Sequence, residues 1–379
     1  MSVKPDAIII EGHVQGLSNL RSLGEKNLSC WVIDTSPCIA QYSKYCNKFI
    51  LCPNYNSTEF IDFLIDLAEK NGIENCVLIP SNDHAVLSLY SNADKLKKYY
   101  LFPENDLVKI NTIYNKFELC ELAVRVGVST PKFVDGSIEK LNFPILVKGK
   151  RGLDFYKKYG KKVVLLNSRE DFVAFSKNNT DSDNNIFFQE LINKDDQYHT
   201  VSFACYSELG IIKHYWCGEK LAEHPVRFGT ATVAQSVQIT ELEELAQKIL
   251  RELNYSGVCE IEFLYDDQTD QFNLIEINAR TWLWVELAKR CGIDLVSILF
   301  FRLKKQTFES PRNSSKQLLW YNPFTFSVFT VIHLFTGKTK WNIIQTWFQS
   351  KKVNALYSSS DSKPFFAYFL LLFSFYKRR

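Results

Sequence analysis

Two short runs of this chain gather carboxylates on one face of a sheet. Gly257-Val258-Cys259-Glu260-Ile261-Glu262-Phe263 is followed, after the polar turn Tyr265 to Gln271, by Asn273-Leu274-Ile275-Glu276-Ile277-Asn278-Ala279-Arg280. Period-two alternation makes each run a strand. Ile261 and Phe263 then match Ile275, Ile277 and Ala279 as the apolar face, while Glu260, Glu262, Glu276, Asn278 and Arg280 share the other. A hairpin centred near Thr269 places Glu262 almost opposite Glu276. Like charges facing each other across strands repel, so a fold keeps them only with something positive between. The hard oxygen donors of Glu262, Glu276 and Asn278 suit Mg²⁺ or Mn²⁺. Arg280, further along the same face, points at whatever anion the metal holds. On an isolated hairpin these charges would be an ordinary solvated face, so the rest of the chain decides.

The first third alternates strand and helix signals. Ala7–Ile10, Cys30–Asp34 and Cys76–Pro80 read as buried strands, and Gly16 to Leu28 and Phe60 to Asn71 as the helices between them. That order predicts a parallel, doubly wound sheet. Gly12-His13-Val14-Gln15-Gly16 makes a tight strand-to-helix turn without the G-x-G-x-x-G pattern, and His13 reads as a turn residue. Ser81-Asn82-Asp83 sits at the carboxyl end of the third strand, where open sheets place ligands and where helix capping uses the same residues, so Asp83 is a candidate on the first count. Asn115 to Ala123 is an amphipathic helix closed by Gly127, Phe143 to Lys148 is a strand ending in lysine, and Ile186 to Ile192 is a buried strand broken by Gln189-Glu190. Val201 to Ile212 reads as a hairpin, and Ile239 to Leu253 as a helix leading into the carboxylate strands.

Asn115-Lys116-Phe117, then Pro144-Ile145-Leu146-Val147-Lys148, then Glu260-Ile261-Glu262-Phe263 with Glu276-Ile277-Asn278-Ala279-Arg280, resemble the motifs of the ATP-grasp superfamily in order and spacing, over roughly residues 7 to 300. The resemblance implies that Lys116 and Lys148 contact the nucleotide phosphates, each a point charge offsetting the triphosphate beside the metal. It implies that Glu190 accepts from the adenine amino group, that backbone at Leu191 or Ile192 reads the ring edge, and that Asp195 and Asp196 approach the ribose. The loop from Gly149 to Lys162 would close over the phosphates, its basic residues standing in for the usual glycines or meeting an acidic substrate, or else forming a solvated turn. Gly218 to Ala231 looks like the segment that crosses the active site in the carboxylate–amine ligase branch. By that likeness Lys220 and Arg227 grip the γ-phosphate or the acceptor carboxylate, and Gly229 and Thr230 allow close backbone approach. His224, ahead of Pro225, is either a base or a structural residue.

The implied fold is α/β: a pre-ATP-grasp doubly wound parallel sheet domain over 1–105, a two-subdomain α+β ATP-grasp fold over 106–300, and an aromatic-rich C-terminal helical region over 301–379. The implied activity is ATP-dependent amide formation between a small-molecule carboxylate and an amine, through an acyl phosphate held near Lys220, Arg227 and Arg280. Carboxylation, thiol ligation and a non-catalytic nucleotide-binding scaffold at a membrane stand as alternatives.

Composition narrows the setting. With 379 residues, 46% of them hydrophobic, the chain can bury two or three cores. A formal charge of +3 without a basic, aromatic-interleaved stripe argues against nucleic acid. The ten cysteines are spread singly, and the chain begins Met1-Ser2-Val3-Lys4 without a signal-like apolar run, so reduced thiols and a cytoplasmic location are expected. Residues 318 to 335 and 365 to 376 are aromatic and apolar, yet neither matches the about 20 unbroken apolar residues that a span needs. Two readings of this tail stand: an interfacial helix flanked by Lys377, Arg378 and Arg379 on the cytoplasmic membrane face, or packing on the body or on a second copy in a homo-oligomer. The membrane reading suggests a cell-surface glycan or lipid precursor as substrate.

Overall fold

The structure is a computed structural model describing residues 4–179, 185–192, 199–225, 227–328, 345–348 and 350–376. Its first sheet contains β1 (Ala7–Ile10), β2 (Cys30–Asp34), β3 (Cys46–Leu51), β4 (Cys76–Pro80) and β5 (Tyr100–Leu101) in the order β3-β2-β1-β4-β5, all parallel. Alternation decides which helix meets which face of β1. Ala7 and Ile9 pack with Val14, Leu17 and Leu20 of the helix Val14–Gly24, whereas Ile8 and Ile10 pack with Phe60 and Leu64 of the helix Thr58–Asn71. β3 and β5 were not evident in the sequence: β3 mixes half-buried and exposed residues without alternation at the sheet's edge, and β5 is two residues long.

A small antiparallel sheet follows, with β6 (Phe133–Val134), β7 (Ile145–Gly149), β8 (Val163–Leu166) and β9 (Ile186–Glu190) in the order β6-β9-β7-β8. The expected closing loop between Gly149 and Lys162 contains a helix, Gly152–Tyr159. Phe155 and Tyr159 lie one turn apart with ring centroids at 4.4 Å, and Phe155 fills the small sheet's core. Lys157 and Lys158 occupy the last turn, and Gly160 caps it in the left-handed region, so local chemistry favours winding.

The largest sheet contains β10 (His199–Glu208), β11 (Ile211–His224), β12 (Thr230–Val237), β13 (Gly257–Asp266), β14 (Gln271–Asn278), β15 (Leu319–Tyr321) and β16 (Lys352–Asn354), ordered β14-β13-β10-β11-β12-β15-β16. All its pairs are antiparallel except β15 with β16. The helix Glu241–Leu253 covers one face through Leu242, Ala246, Ile249 and Leu250. Glu262 pairs with Glu276 as the alternation predicts, but a bulge after Glu262 sets Phe263 opposite Leu274. Leu274 therefore joins the core, and Ile275, expected there, lines the cavity on the other side.

The C-terminal region, besides its aromatic helices, sends β15 and β16 into this sheet. It then returns to the first sheet. Arg21, on the helix after β1, donates to Asp361 Oδ2 at 2.9 Å and to the carbonyls of Leu356 and Asp361, and Ser43 Oγ and the Lys44 N–H complete Asp361. The final helix, Lys363–Tyr376, buries Ala367, Tyr368 and Leu371 and leaves Phe366, Phe369 and Leu370 outward. The tail thus packs on the body by one face. Lys377, Arg378 and Arg379 lie outside the described residues. Among the described residues, no helix is long and apolar enough to cross a membrane.

Both charges of the Arg21–Asp361 pair are almost wholly buried, so removing one strands the other. Arg21→Met is expected to cost about 3–5 kcal/mol, measured by urea unfolding of the full chain. An unchanged midpoint would refute the pair's role in holding the tail to the first sheet.

Candidate active site

A cavity of about 750 Å³ opens where the three sheets meet. Each expected phosphate, adenine and metal residue in the described parts of the chain borders it: Lys116, Lys148, Glu190, Leu191, Ile192, Glu262, Glu276 and Asn278. So do the expected catalytic residues Lys220, Arg227 and Arg280. Asp196, with its neighbour Asp195, lies outside the described residues.

Lys116 is the first residue of its helix because Asn115 caps it, accepting from the Phe117 and Glu118 N–H groups. Its Nζ stands 2.5 Å from Glu276 Oε2. On the opposite strand, Lys220 Nζ from β11 stands 2.6 Å from Glu262 Oε2. Each member of the repelling pair thus has its own lysine. The Lys116 ammonium, against the opposing effect of burial, holds the Glu276 carboxyl well below the usual carboxylate range.

Lys148 closes the apolar run of β7 and is buried, its Nζ donating to Gln189 Oε1 at 2.5 Å. Burial, reinforced by Lys116, pushes its pKa down to about 8. Gln189 was not singled out in the sequence, although a polar residue inside a buried strand was the signal for it. The Glu190 carboxylate accepts from the backbone and side-chain nitrogens of Asn142 at 2.8 and 3.1 Å, so Oε1 already anchors that loop. The Leu191 N–H is held by the Pro144 carbonyl, leaving Ile192 as the backbone donor of the two expected positions.

Asn278 donates from Nδ2 to Glu260 Oε2 at 3.0 Å, which turns its carbonyl oxygen toward Arg280 Nη2 at 3.2 Å. Glu260, left outside the expected metal set, is therefore the group that orients Asn278. Ser202 holds its other oxygen, and burial, with Glu262 next, raises its pKa to about 8. Arg280 is gripped by Asp83 through Nε at 2.5 Å and Nη2 at 3.1 Å, so Asp83 positions the arginine. Gly229 has a different role from the expected one. A Cβ there would fall 2.1 Å from the His224 carbonyl carbon, so the glycine serves the turn itself.

Glu11 also borders the cavity and was missed, because nothing marks a glutamate after a buried strand. Its φ of 73° is left-handed, and burial, then Asp34, raises its pKa to about 7.

Solved structures share this arrangement of sheets. A biotin carboxylase from Campylobacter jejuni matches over 83% of this chain and 75% of its own, at a TM-score of 0.64 and 17% identity. N5-carboxyaminoimidazole synthetase from Staphylococcus aureus matches over 84% and 82%, at 0.64 and 18%. The chain has the ATP-grasp fold. An L-amino acid ligase from Bacillus licheniformis also matches, over 84% and 80%, at 0.62 and 15% identity. The family described as carbamoyl-phosphate synthase L chain, ATP binding domain, matches residues 223–303, which contain both carboxylate strands of the ATP-grasp hairpin. No curated protein matches the sequence.

A divalent cation fits the donors present. Glu262 and Glu276 are cross-strand partners compensated by positive charge, and Asn278 offers an oriented carbonyl oxygen. Among the described residues, no three His, Cys, Asp or Glu side chains cluster as metal ligands, so a site here rests on two carboxylates, the amide and phosphate oxygens.

Lys148 yields a pH prediction. Phosphate oxygens favour its charged form, so nucleotide binding is strongest below pH about 8 and weakens by up to about tenfold per pH unit above it. Calorimetric titration of ATP from about pH 7 to 9 should show this slope in the wild type and a flat response in Lys148→Arg; equal slopes would refute it.

Proposed function

We propose that the protein is an ATP-dependent carboxylate–amine ligase. The supporting observation is the repelling pair Glu262 and Glu276, each held by a lysine and flanked by Arg280, an arrangement without use in a scaffold. Lys116 and Lys148 would bind the phosphates, and Glu262, Glu276 and Asn278 would hold Mg²⁺, which would supply charge neutralisation for the triphosphate. Arg280, Lys220 and Arg227 orient the substrate carboxylate. Its oxygen attacks the γ-phosphorus, the bond to the β,γ-bridging oxygen breaks, and ADP leaves. The acyl phosphate then meets an amine that has lost a proton: nitrogen bonds to the acyl carbon, phosphate departs, and a second proton leaves the nitrogen to give the amide. Carboxylate and amine do not condense unaided in water, so ATP drives the reaction while the protein contributes positioning and charge. Carboxylation is the second reading, since two of the similar structures are named for it. Bicarbonate as the acid tells the two apart.

The test is ADP release with Mg²⁺ over amino acids, sugar acids and bicarbonate. Acid-dependent turnover that falls by about a hundredfold or more in Glu276→Ala is the expected result. Tight ATP binding without turnover on any acid would favour a scaffold, and turnover on bicarbonate alone would favour carboxylation.

We further propose peripheral contact with an anionic membrane surface. Phe366, Phe369 and Leu370 are 61, 50 and 75% exposed on one helix, Lys363 opens that helix, and Lys377, Arg378 and Arg379 follow it in sequence. Co-sedimentation with phosphatidylserine vesicles should be lost in Phe366→Ser/Leu370→Ser while thermal unfolding is unchanged. Equal sedimentation of both proteins would refute the contact.

A further inference from the structure

Several lining residues are unused by the nucleotide and metal assignments, and the segment 38–40 beside Gly12 packs in one cluster with Phe324 and Tyr368. The turn after β1 supplies Glu11 and Gln15, the segment after β14 supplies Trp282, and the C-terminal region supplies Phe324, Thr325 and Tyr368. The turn that carries Glu11 and Gln15 lies outside the carboxyl ends of β1 and β4, on either side of which the strand order runs in opposite directions, and open sheets bind ligands at such a point.

Arg280 acts on Glu11 only from beyond ion-pair distance, and Asp34 and Asp83 oppose its charge. The Glu11 carboxylate meets only two amides, Gln15 Nε2 at 3.4 Å and Asn82 Nδ2 at 3.3 Å, both long. Among the described residues no cationic nitrogen lies within ion-pair distance of it, and Arg280 is committed to Asp83 through two bonds. A buried carboxyl so placed gains from a cation brought beside it, because that cation favours its charged form.

Three buried polar atoms of cavity-lining residues lack hydrogen-bond partners among the described residues: Gln15 Oε1, Trp282 Nε1 and Thr325 Oγ1. Trp282 is 2% exposed, so its indole N–H has little access to bulk water. The lining also has an apolar wall, Phe324 stacked on Tyr368 with centroids 4.3 Å apart and planes within 9°. That wall is fixed in place. The Asn322 N–H donates to the Thr232 carbonyl of β12 at 3.0 Å, and Arg21 ties Asp361, just before the Tyr368 helix, to the first sheet.

We propose that these lining residues form the pocket for the second substrate, an amine whose ammonium meets Glu11 and whose ring-sized apolar body lies against Phe324 and Tyr368. That this ligand is the amine consumed in the reaction rests on the ligase reading; that the pocket binds such a cation does not.

Three probes separate the elements: phenylalanine amide carries ammonium and ring, alanine amide the ammonium alone, and 3-phenylpropanamide the ring alone. Calorimetric titration into the full chain should show phenylalanine amide binding at least about tenfold more tightly than either other probe. Glu11→Gln should erase its advantage over 3-phenylpropanamide, and Phe324→Ala its advantage over alanine amide. Phe324→Leu, which keeps the wall's bulk without the ring, serves should the alanine variant fail to fold. Equal binding of the three probes to wild type, or preferences surviving both substitutions, would overturn the pocket. Discrimination by the probes in a protein that releases no ADP with any acid would uphold the pocket and sink the ligase reading.

Discussion

Two carboxylates facing each other across β13 and β14 cannot both stay ionised in a buried setting without positive charge beside them. Much of the architecture around the cavity delivers that charge. Lys116 arrives from a helix that precedes the small sheet and is aimed by its Asn115 cap, and Lys220 arrives from β11, two strands away from β13 in the same sheet. The two lysines approach from different elements, so the pair is neutralised only when the helix that carries Lys116 is seated on the large sheet through Leu119, Leu122 and Ala123. Lysines that offset carboxylates here also suit phosphate oxygens, so Glu262, Glu276 and the two ammonium groups would together be able to hold a divalent ion and the anion it neutralises.

Around that centre, further residues fix geometry without belonging to it. Glu260 turns Asn278, Asp83 clamps Arg280, and Gln189 holds Lys148. Asp83 comes from the end of β4 and Arg280 follows β14, so Arg280 is itself a contact between the first sheet and the large one. A shift between those sheets would misplace the guanidinium by the same distance, and misplacements of about 1 Å are enough to damage positioning catalysis.

Strand alternation made the hairpin legible in the sequence, because a period of two decides faces without knowledge of anything distant. Glu262 opposite Glu276 followed from it directly. What it could not show was the bulge after Glu262, an insertion set by packing, which moved Ile275 from core to cavity. The helix Gly152–Tyr159 was hidden by its basic residues, which suggested a phosphate loop while Phe155 and Tyr159 supplied the winding face. Glu11 left no signal, and Gln189 showed only as a polar residue in a buried strand with no role attached, for a different reason. Each acquires its role from neighbours remote in sequence, Asn82 and Lys148, and a single strand end carries no trace of that.

The C-terminal region joins two tasks that are usually separate. β15 and β16 extend the large sheet, and Arg21 binds the following segment to the first, so the same stretch of chain spans the cleft between the sheets. Phe324 and Tyr368 lie on this span and face the cavity. Any change in how the sheets approach each other must therefore move the aromatic wall relative to Glu11, which rides on β1. Under the proposed reading, a ligand at the Glu11 side would be linked to the placement of the sheets that carry Lys116 and Lys148. A ligand that wedges the rings apart would oppose the approach of the sheets, whereas one that fills the pocket without strain would favour it.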